Sequence, residues 1–396
     1  KWEVLKIRIK RLLVYLREFE RIRKQTYYKH EFLLRKPAFD DFAKSECCLS
    51  RNMYPTTLDL INNPPSYDIY FTGSDQTWSP KIGFRDSLFL TFAKPGAVRA
   101  AYAPSIGVTS FSDIECTYVK ERLQHYHFVS CRERYGAEIL QHLSPIEVTT
   151  VVDPTLLLTA EEWRQITVRP KCAGKYILCY FLGHRTYYRA FAKQLSKQLG
   201  LPLVFLPVSY VDFSQDKSLQ WEAGPKEFLG LIDNAEVILT DSFHGSIFSI
   251  NFNKNFYSFV KHTGLRAMDN MRIFDILERM DLIDRFISEY NDGIIDYQPI
   301  DYSHTNELLT VERKVSKDDI KFCEMIICPH DQCTGCAACL NSCSHNAIKM
   351  VQGINGHLYP EVNDDVCVGC KLCVNICPNN HLPEYHKNMA AYIATA

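Results

Sequence analysis

The sequence predicts an α/β protein in which two doubly wound halves are followed by a small α+β domain rich in cysteine. Its 396 residues are too many for one ordinary hydrophobic core and favour two to three domains. Short apolar runs alternate with helical stretches in two successive series, which is typical of parallel sheets covered by helices on both faces. Ten of the 16 cysteines fall between Cys323 and Cys377, so a thiol-rich domain follows the larger body.

The composition excludes several broad classes of protein. The chain has 45 Lys and Arg against 46 Asp and Glu, so its overall charge does not indicate a nucleic-acid partner. A hydrophobic fraction of 46% is that of a globular chain rather than a disordered one. No apolar run reaches the roughly 18 residues of a transmembrane helix. The cysteine-rich part is not a short chain behind a signal peptide, as a secreted disulfide framework would be.

The first segment has the pattern of a basic amphipathic helix over residues 1 to about 36. Its apolar residues recur at helical spacing. They are Leu5, Ile9, Leu12, Leu13, Leu16, Phe19 and Ile22. We expect this helix to pack on the domain that follows, with contact to acidic lipid or RNA as the alternative.

Four strands are predicted in the first half and three in the second, each apolar through most of its length. The strands of the first half are 67–72, 98–102, 128–130 and 148–152. The second half has strands at 176–181, 203–206 and 237–240, and helices at 188–199 and 225–234. A helix at 271–280 and a polar stretch to about residue 316 close the body. The expected domains are 1–155, 156–315 and 320–382, with 383–396 beginning a linker or a truncated further domain.

The two cysteine runs share the spacing C-x2-C-x2-C-x3-C, which is that of bacterial two-cluster ferredoxins. In that pattern three thiolates of a run bind one 4Fe–4S cluster and the fourth crosses to the other. We expect one cluster on Cys333, Cys336, Cys339 and Cys377, and a second on Cys367, Cys370, Cys373 and Cys343. Zinc sites or plain buried thiols are the alternatives. Gly335 and Gly369 let the backbone bend at each run, while Cys323 and Cys328 lie outside the spacing and are expected to be structural.

Four polar motifs lie in the body, three of them directly after predicted strands, where parallel sheets bind ligands. They are YFTGSDQTW at 70–78, SCRERYG at 130–136, VDPT at 152–155 and TDSFHG at 240–245. In this order, the motifs resemble the polysaccharide pyruvyl transferase family. The resemblance implies two Rossmann-like domains in a GT-B-like arrangement, with phosphoenolpyruvate and a sugar acceptor meeting in the cleft. It also implies that two sugar hydroxyls form a cyclic ketal and that phosphate is released.

The resemblance gives two residues a catalytic role. Arg132 matches the family's Ser-x-Arg-Glu motif, and its guanidinium could hold the carboxylate or phosphate of phosphoenolpyruvate bidentately. A surface pair with Glu133 at a helix start is the alternative. His244 is the expected general acid and base, because histidine exchanges a proton near neutral pH. The neighbouring Gly245 would admit a ligand, and a structural histidine is the alternative.

Other residues are expected to bind substrate. Asp75 and Gln76 could hydrogen-bond the acceptor sugar, although Asp75 could equally be a helix N-cap. Ser242 stands where many family members carry arginine, so Arg272 could supply the missing charge; a helix-surface arginine is the alternative. Asp153 is expected to order the crossover between the halves. Family members begin with a strand and a loop ahead of the first helix, so we expect one β-α unit to be absent from this chain.

The leading functional hypothesis is a pyruvyl transferase of bacterial cell-surface glycan synthesis, fused to a ferredoxin module. It would be cytoplasmic or peripheral to the inner face of the membrane. The rival is an iron–sulfur electron-transfer protein whose transferase-like body is an inactive scaffold or sensor, and a redox-gated transferase is a third reading. Residues 384–392 resemble the junction before a deazaflavin- or flavin-type dehydrogenase domain, which would be a redox partner absent from this chain.

Overall fold

The computed structural model describes most of the chain between residues 33 and 381. The described residues are 33–50, 52–67, 69–94, 97–172, 174–183, 185–208, 220–261, 270–290, 293–324, 327–328, 333–353, 356–363, 366–367 and 372–381. Most of the predicted basic helix, Gly369, Cys370 and residues 383–396 lie outside them. None of the helices in this described part is long and apolar enough to cross a membrane.

The elements alternate along the chain as the two apolar series predict. The strands are β1 (Ile69–Thr72), β2 (Val98–Ala101), β3 (Phe128–Cys131), β4 (Val148–Thr150), β5 (Ile177–Tyr180), β6 (Leu203–Phe205), β7 (Val237–Thr240), β8 (Asn255–Phe259), β9 (Phe286–Ile287), β10 (Ile348–Gln352) and β11 (Leu358–Val362). The helices are α1 (Lys36–Glu46), α2 (Thr57–Asn62), α3 (Asp113–Leu123), α4 (Arg134–Gln141), α5 (Ala160–Arg164), α6 (Thr186–Leu199), α7 (Pro225–Asn234), α8 (Phe243–Asn251), α9 (Met271–Arg279), α10 (Ser303–Glu324), α11 (Ala338–Ser342) and α12 (Leu372–Ile376). Short 3₁₀ helices are Gln76–Trp78, Pro80–Ile82, Asp86–Phe89, Pro154–Leu156, Ile283–Arg285 and Pro378–His381.

The described residues form two compact units, each made from two stretches of chain. We call residues 48–157 and 303 onward the Arg132 unit, and residues 33–47 and 158–302 the His244 unit. The helix α10 spans the predicted boundary at residue 315 and groups with the first half of the body. The predicted domain limits themselves stay a prediction.

The Arg132 unit contains a four-stranded parallel sheet in the order β1-β2-β3-β4. Its core is aromatic: fully buried Trp78 stacks on Phe89 with ring centroids 5.1 Å apart and donates its indole N–H to the Leu88 carbonyl. The helix α3 begins with a capping box, in which Ser112 and Glu115 satisfy each other's backbone N–H. A sheet buried on both sides explains why these strands read as apolar runs.

The helix α10 was not predicted, because its sequence reads as a polar stretch. Its buried positions fall at helical spacing but are partly polar: Thr305, Leu309 and Ser316 are at most 3% exposed. The Ser316 hydroxyl accepts a hydrogen bond from the Val152 N–H at 2.9 Å, and Arg313 donates to the Leu156 carbonyl. This helix therefore packs on the segment after β4 through hydrogen bonds more than through an apolar stripe.

The His244 unit contains a five-stranded parallel sheet in the order β6-β5-β7-β8-β9. The connection after β5 leads to β6 on one side, whereas β7 pairs with β5 on its other side. The strand order therefore reverses between β5 and β7. In open α/β sheets, the crevice outside the carboxyl ends of such a pair of strands is the usual place for a ligand.

The C-terminal part of the chain is small and different in kind. Its hairpin pairs β10 with β11 in antiparallel register, and the short helices α11 and α12 contact each other. Five buried residues of its described part form one hydrophobic cluster, namely Ile327, Cys328, Cys339, Ile348 and Cys377. The predicted class, two parallel α/β parts followed by a small cysteine-rich domain, is confirmed.

We expect Gly230→Ala to destabilise the His244 unit although alanine favours helix over glycine by about 1 kcal/mol. Gly230 lies in α7, and a Cβ there would overlap the Val168 carbonyl oxygen. Overpacking of this kind costs about 1–3 kcal/mol, so the midpoint of urea unfolding should fall. Gly293→Ala is the control, because an added Cβ meets nothing within 4 Å there. Equal midpoints for the two variants would contradict this packing.

Candidate functional site

In the Arg132 unit, the polar motifs meet at the carboxyl edge of the sheet around one buried arginine. Arg132 follows β3 and is 2% exposed. Its Nε lies 3.0 Å from Glu133, its Nη1 2.9 Å from Asp153 and its Nη2 3.2 Å from Asp75. Each of the three guanidinium nitrogens is thus engaged by a carboxylate. An anionic ligand at Arg132 would have to compete with these contacts.

The charges of this cluster explain how an arginine can lie inside the protein. Burial alone lowers the pKa of Arg132, but Glu133, Asp153 and Asp75 outweigh it and raise the pKa above its usual range. Asp153 also accepts hydrogen bonds from the Thr155 backbone and hydroxyl at 3.1 and 2.8 Å. It follows β4, so the VDPT motif lies at the same edge as the other two motifs of this unit. The alternative of a surface pair between Arg132 and Glu133 does not hold, since both are buried.

The two residues expected to bind the acceptor lie at the same edge, after β1. Asp75 occupies the N-cap position of the short helix Gln76–Trp78, but its side chain makes no cap hydrogen bond. Its carboxylate instead pairs with Arg132 and remains 59% exposed. Gln76 is partly exposed, and its amide lies beside Gly107. The structure therefore brings Asp75 and Arg132 into direct contact and keeps the Asp75 carboxylate accessible.

In the His244 unit, a buried carboxylate joins the loops after the two central strands. Asp241 follows β7 and is 2% exposed. Its Oδ1 accepts from the Leu182 N–H at 2.5 Å and its Oδ2 from the Gly183 N–H at 2.7 Å. Burial raises the pKa of Asp241, and these two amides together with Lys261 lower it in part. A Cβ at Gly183 would meet Asp241 Oδ2, so only glycine permits this approach.

His244 lies in the first turn of α8, at the carboxyl end of β7. It is the one partly exposed residue from Val237 to Phe252; every other residue in that stretch is buried. Ser242 is the N-cap of α8, and its hydroxyl accepts from the Gly245 N–H at 3.3 Å. A Cβ at Gly245 would overlap the Thr240 side chain, so the glycine is explained by packing rather than by a ligand.

Further polar side chains surround this point. The Tyr180 hydroxyl, at the end of β5, hydrogen-bonds with Ser242, and burial raises the pKa of Tyr180. The Arg35 charge lies near the same hydroxyl, and Arg35 Nη2 donates to the Pro207 carbonyl after β6 at 2.6 Å. Arg272 is partly buried in the first turn of α9, which packs against α8. The edge thus combines a histidine, a helix N-terminus and several cations, a combination suited to proton transfer and anion binding.

The four cysteines expected to bind the first cluster line one pocket in the C-terminal part. Cys333, Cys336 and Cys339 of the first run border this pocket together with Cys377, the crossing cysteine of the second run. The Ala338 N–H donates to the Cys336 sulfur and lowers the pKa of that thiol. Gly335 has φ +66°, the positive value expected where the run bends. The residues present therefore fit a bound iron–sulfur group.

The second set is only partly described. Cys343, Cys367 and Cys373 are half-buried, and Cys370 lies outside the described residues. The Ala347 N–H donates to the Cys343 sulfur at 3.3 Å, a contact of the kind that stabilises a thiolate ligand. In the described part of the chain, no three His, Cys, Asp or Glu side chains converge closely enough to hold a single metal ion.

Sequence reasoning missed several residues of these clusters. Asp241 belongs to the TDSFHG motif and directly follows a strand, so its position in the sequence could have indicated a functional residue. No sequence signal indicated Arg35 or Cys328 as functional, because Arg35 precedes the first predicted strand and Cys328 lies outside the cysteine spacing. Tyr180 lies in an apolar run, which gives no indication that its hydroxyl makes a polar contact.

These observations first define a class: a parallel α/β body with polar strand ends, joined to a cysteine domain of ferredoxin spacing. The chain belongs to the polysaccharide pyruvyl transferase family, whose model matches residues 7–262. The model of the 4Fe-4S dicluster domain matches residues 332–381. A comparison with curated proteins finds no matching sequence.

Several solved structures match the chain with limited similarity, including the three that follow. A UDP-GlcNAc 2-epimerase of Methanocaldococcus jannaschii is 14% identical, with 64% of this chain and 76% of that chain covered and a TM-score of 0.33. A protein assigned as a UDP-N-acetylglucosamine 2-epimerase of Listeria monocytogenes is 9% identical, with 65% and 74% covered and a TM-score of 0.38. The wall teichoic acid polymerase TagF is 11% identical, with 58% and 70% covered and a TM-score of 0.30. Scores this low do not establish a shared fold, so the fold class rests on the two parallel sheets.

We expect Arg132→Ala to lower the free energy of unfolding by about 3–5 kcal/mol, because it removes the guanidinium from buried carboxylates. Urea unfolding followed by circular dichroism measures the loss. Lys171→Ala is the control: its pair with Glu222 is 86% and 70% exposed, and such pairs contribute about 0–1 kcal/mol. A loss at Arg132 no greater than that of the control would show that the three contacts are not structural.

Proposed function

We propose that the protein transfers a pyruvyl group from phosphoenolpyruvate to a sugar of a bacterial surface polysaccharide or its precursor. Family membership supports the reaction class. The observation that carries the proposal is the position of His244, which is the one partly exposed side chain of an otherwise buried strand and helix. It lies where the strand order reverses, at the edge of the sheet where α/β proteins bind ligands.

The reaction sets the chemical demands on this site. Two sugar hydroxyls form bonds to C2 of phosphoenolpyruvate, C3 gains a proton and becomes a methyl group, and the bond from C2 to the phosphate oxygen breaks. One hydroxyl proton is thus consumed at C3 and the other leaves with phosphate. We assign the proton transfer to His244, and donor binding to the N-terminal turn of α8 with Ser242 and to Arg272.

Arg132 and Asp75 are assigned complementary roles. Because the Arg132 guanidinium contacts three carboxylates, we propose that it positions Asp75. The accessible Asp75 carboxylate, together with Gln76, would accept hydrogen bonds from the acceptor's hydroxyls. Holding Asp75 by a buried arginine fixes its orientation before the sugar binds.

For the C-terminal domain we propose two 4Fe–4S clusters on the eight cysteines assigned from the sequence. The described pocket supports this ligand set because it gathers three cysteines of the first run with Cys377 of the second. The clusters would pass single electrons to and from a redox partner, for which a deazaflavin- or flavin-type dehydrogenase domain is our candidate. Oxygen-sensitive thiolate clusters and a cytosolic donor both favour the cytoplasm or the inner face of the membrane.

A second candidate function is electron transfer by a protein whose transferase-like body is an inactive scaffold or sensor. The specific observation in its favour is that Arg132 is already engaged by Asp75, Glu133 and Asp153. Ser242 also favours this candidate, because it is a buried helix N-cap at a position where many family members carry arginine. This candidate predicts a body that does not bind phosphoenolpyruvate.

We expect phosphoenolpyruvate to raise the unfolding temperature of the anaerobically prepared chain in a saturable manner. A ligand bound only by the folded state at a hundred times its Kd adds about 2.7 kcal/mol to the free energy of unfolding.

His244→Ala should keep this rise in unfolding temperature but lose at least about a hundredfold in the rate of phosphate release with acceptor glycan, since it removes the acid and base. The exposed His142, replaced by Ala, is the control and should change neither. If millimolar phosphoenolpyruvate does not raise the unfolding temperature of the unmodified chain, the result would favour the second candidate, in which the transferase-like body is an inactive scaffold.

We expect phosphate release to be equal when the clusters are oxidised and when they are reduced, because nothing in the proposed reaction takes up or releases an electron. The measurement compares initial rates in air-free buffer before and after dithionite, with electron paramagnetic resonance reporting the cluster state. A rate that follows the cluster state would instead support a redox-gated transferase.

A further inference from the structure

A fifth cysteine lies at the site proposed for the first cluster. Cys328 stands five residues before Cys333, outside the spacing of the run. It is 3% exposed and lines the same pocket as the four proposed ligands. A 4Fe–4S cluster takes four thiolates, so this pocket holds one thiol more than the cluster needs.

The contacts of Cys328 place its sulfur beside one particular ligand. Its side chain hydrogen-bonds with that of Cys377 and lies within electrostatic range of Cys333. Asn379 donates to the Cys328 sulfur at 3.7 Å, as it could to a metal-bound thiolate. Cys377, itself 7% exposed, is the ligand that crosses from the second run. The Cys328 sulfur therefore lies within hydrogen-bonding distance of the Cys377 sulfur.

We propose that Cys328 is a reserve ligand of the first cluster, which contacts Cys377 while that thiolate is bound and replaces it when it is lost. The inference rests on the two-cluster ligand set proposed above. In the replacement, the iron–sulfur bond to Cys377 would break and one to Cys328 would form, and the Cys328 proton would pass to the released Cys377 thiolate. One thiolate takes the place of another, so no electron is transferred and no further reactant is needed.

The alternative is that Cys328 only fills the core of the small domain, next to Ile327 and Ile348. The two roles differ in what happens when Cys377 is removed. A thiol that only packs cannot bind iron in its place, so the first cluster would be lost whether or not Cys328 is present. A reserve ligand makes the outcome depend on Cys328.

The test uses the full chain, reconstituted with iron and sulfide without oxygen, and measures iron per chain and the electron paramagnetic resonance of the reduced protein. We expect Cys377→Ala to keep the iron of both clusters with a changed signal from one, and Cys377→Ala/Cys328→Ala to lose half the iron. Cys328→Ala alone should keep both clusters. The matched control is the exposed ligand Cys336: Cys336→Ala should lose half the iron with or without Cys328.

Equal iron in Cys377→Ala and in the double variant would overturn the proposal, as would loss of half the iron in Cys328→Ala alone. If Cys377→Ala does not accumulate as folded protein, the single variant Cys328→Ala decides. Removing the contact to a bound Cys377 should shift the signal of one cluster, and an unchanged signal would overturn the inference. A parent chain that binds no iron would instead refute the proposed clusters.

Discussion

All strands within each of the two large sheets run in the same direction, and this constraint determines where the polar chemistry of the protein lies. Parallel strands bring their carboxyl ends to one edge of a sheet. In the Arg132 unit β1, β3 and β4 therefore bring Asp75, Arg132 and Asp153 to a common edge, where Arg132 contacts both carboxylates. Because the strands are buried, several of the charges that follow them leave water as well, and each must find a partner inside the protein.

The two units satisfy this requirement in different ways, and the difference bears on function. Arg132 is compensated by side chains, with carboxylates on all three of its nitrogens, so the guanidinium is enclosed. Asp241 is compensated mainly by the backbone, through the amides of Leu182 and Gly183. The second arrangement ties two loops together and leaves the neighbouring His244 partly exposed. This contrast supports our assignment of proton transfer to the His244 unit and of a positioning role to Arg132.

The sequence predicted the structural features that depend on residues close together in the chain. Apolar runs predicted the strands, because a strand buried on both faces has no polar alternation, and the cysteine spacing predicted a 4Fe-4S dicluster domain. Partners distant in the chain could not be predicted: the Asp241 carboxylate meets an amide 58 residues away, and no pattern in the sequence encodes that contact. The helix α10 also could not be predicted, because the polar residues Thr305 and Ser316 occupy buried positions where an apolar pattern would be expected. Gly245 shows the converse error, since packing against Thr240 explains a glycine that the motif attributed to a ligand.

The small C-terminal domain links its stability to the group that its thiols bind. The hydrophobic cluster in its described part has five buried residues, of which three are cysteines and two are isoleucines. A domain this small has little apolar surface with which to offset the conformational entropy of folding. Under the proposed ligand set, metal binding by deprotonated thiols would therefore supply folding free energy to this domain. It follows that loss of the clusters should unfold this part of the chain, whereas the His244 unit, with an apolar core of its own around Tyr188 and Phe259, does not depend on them.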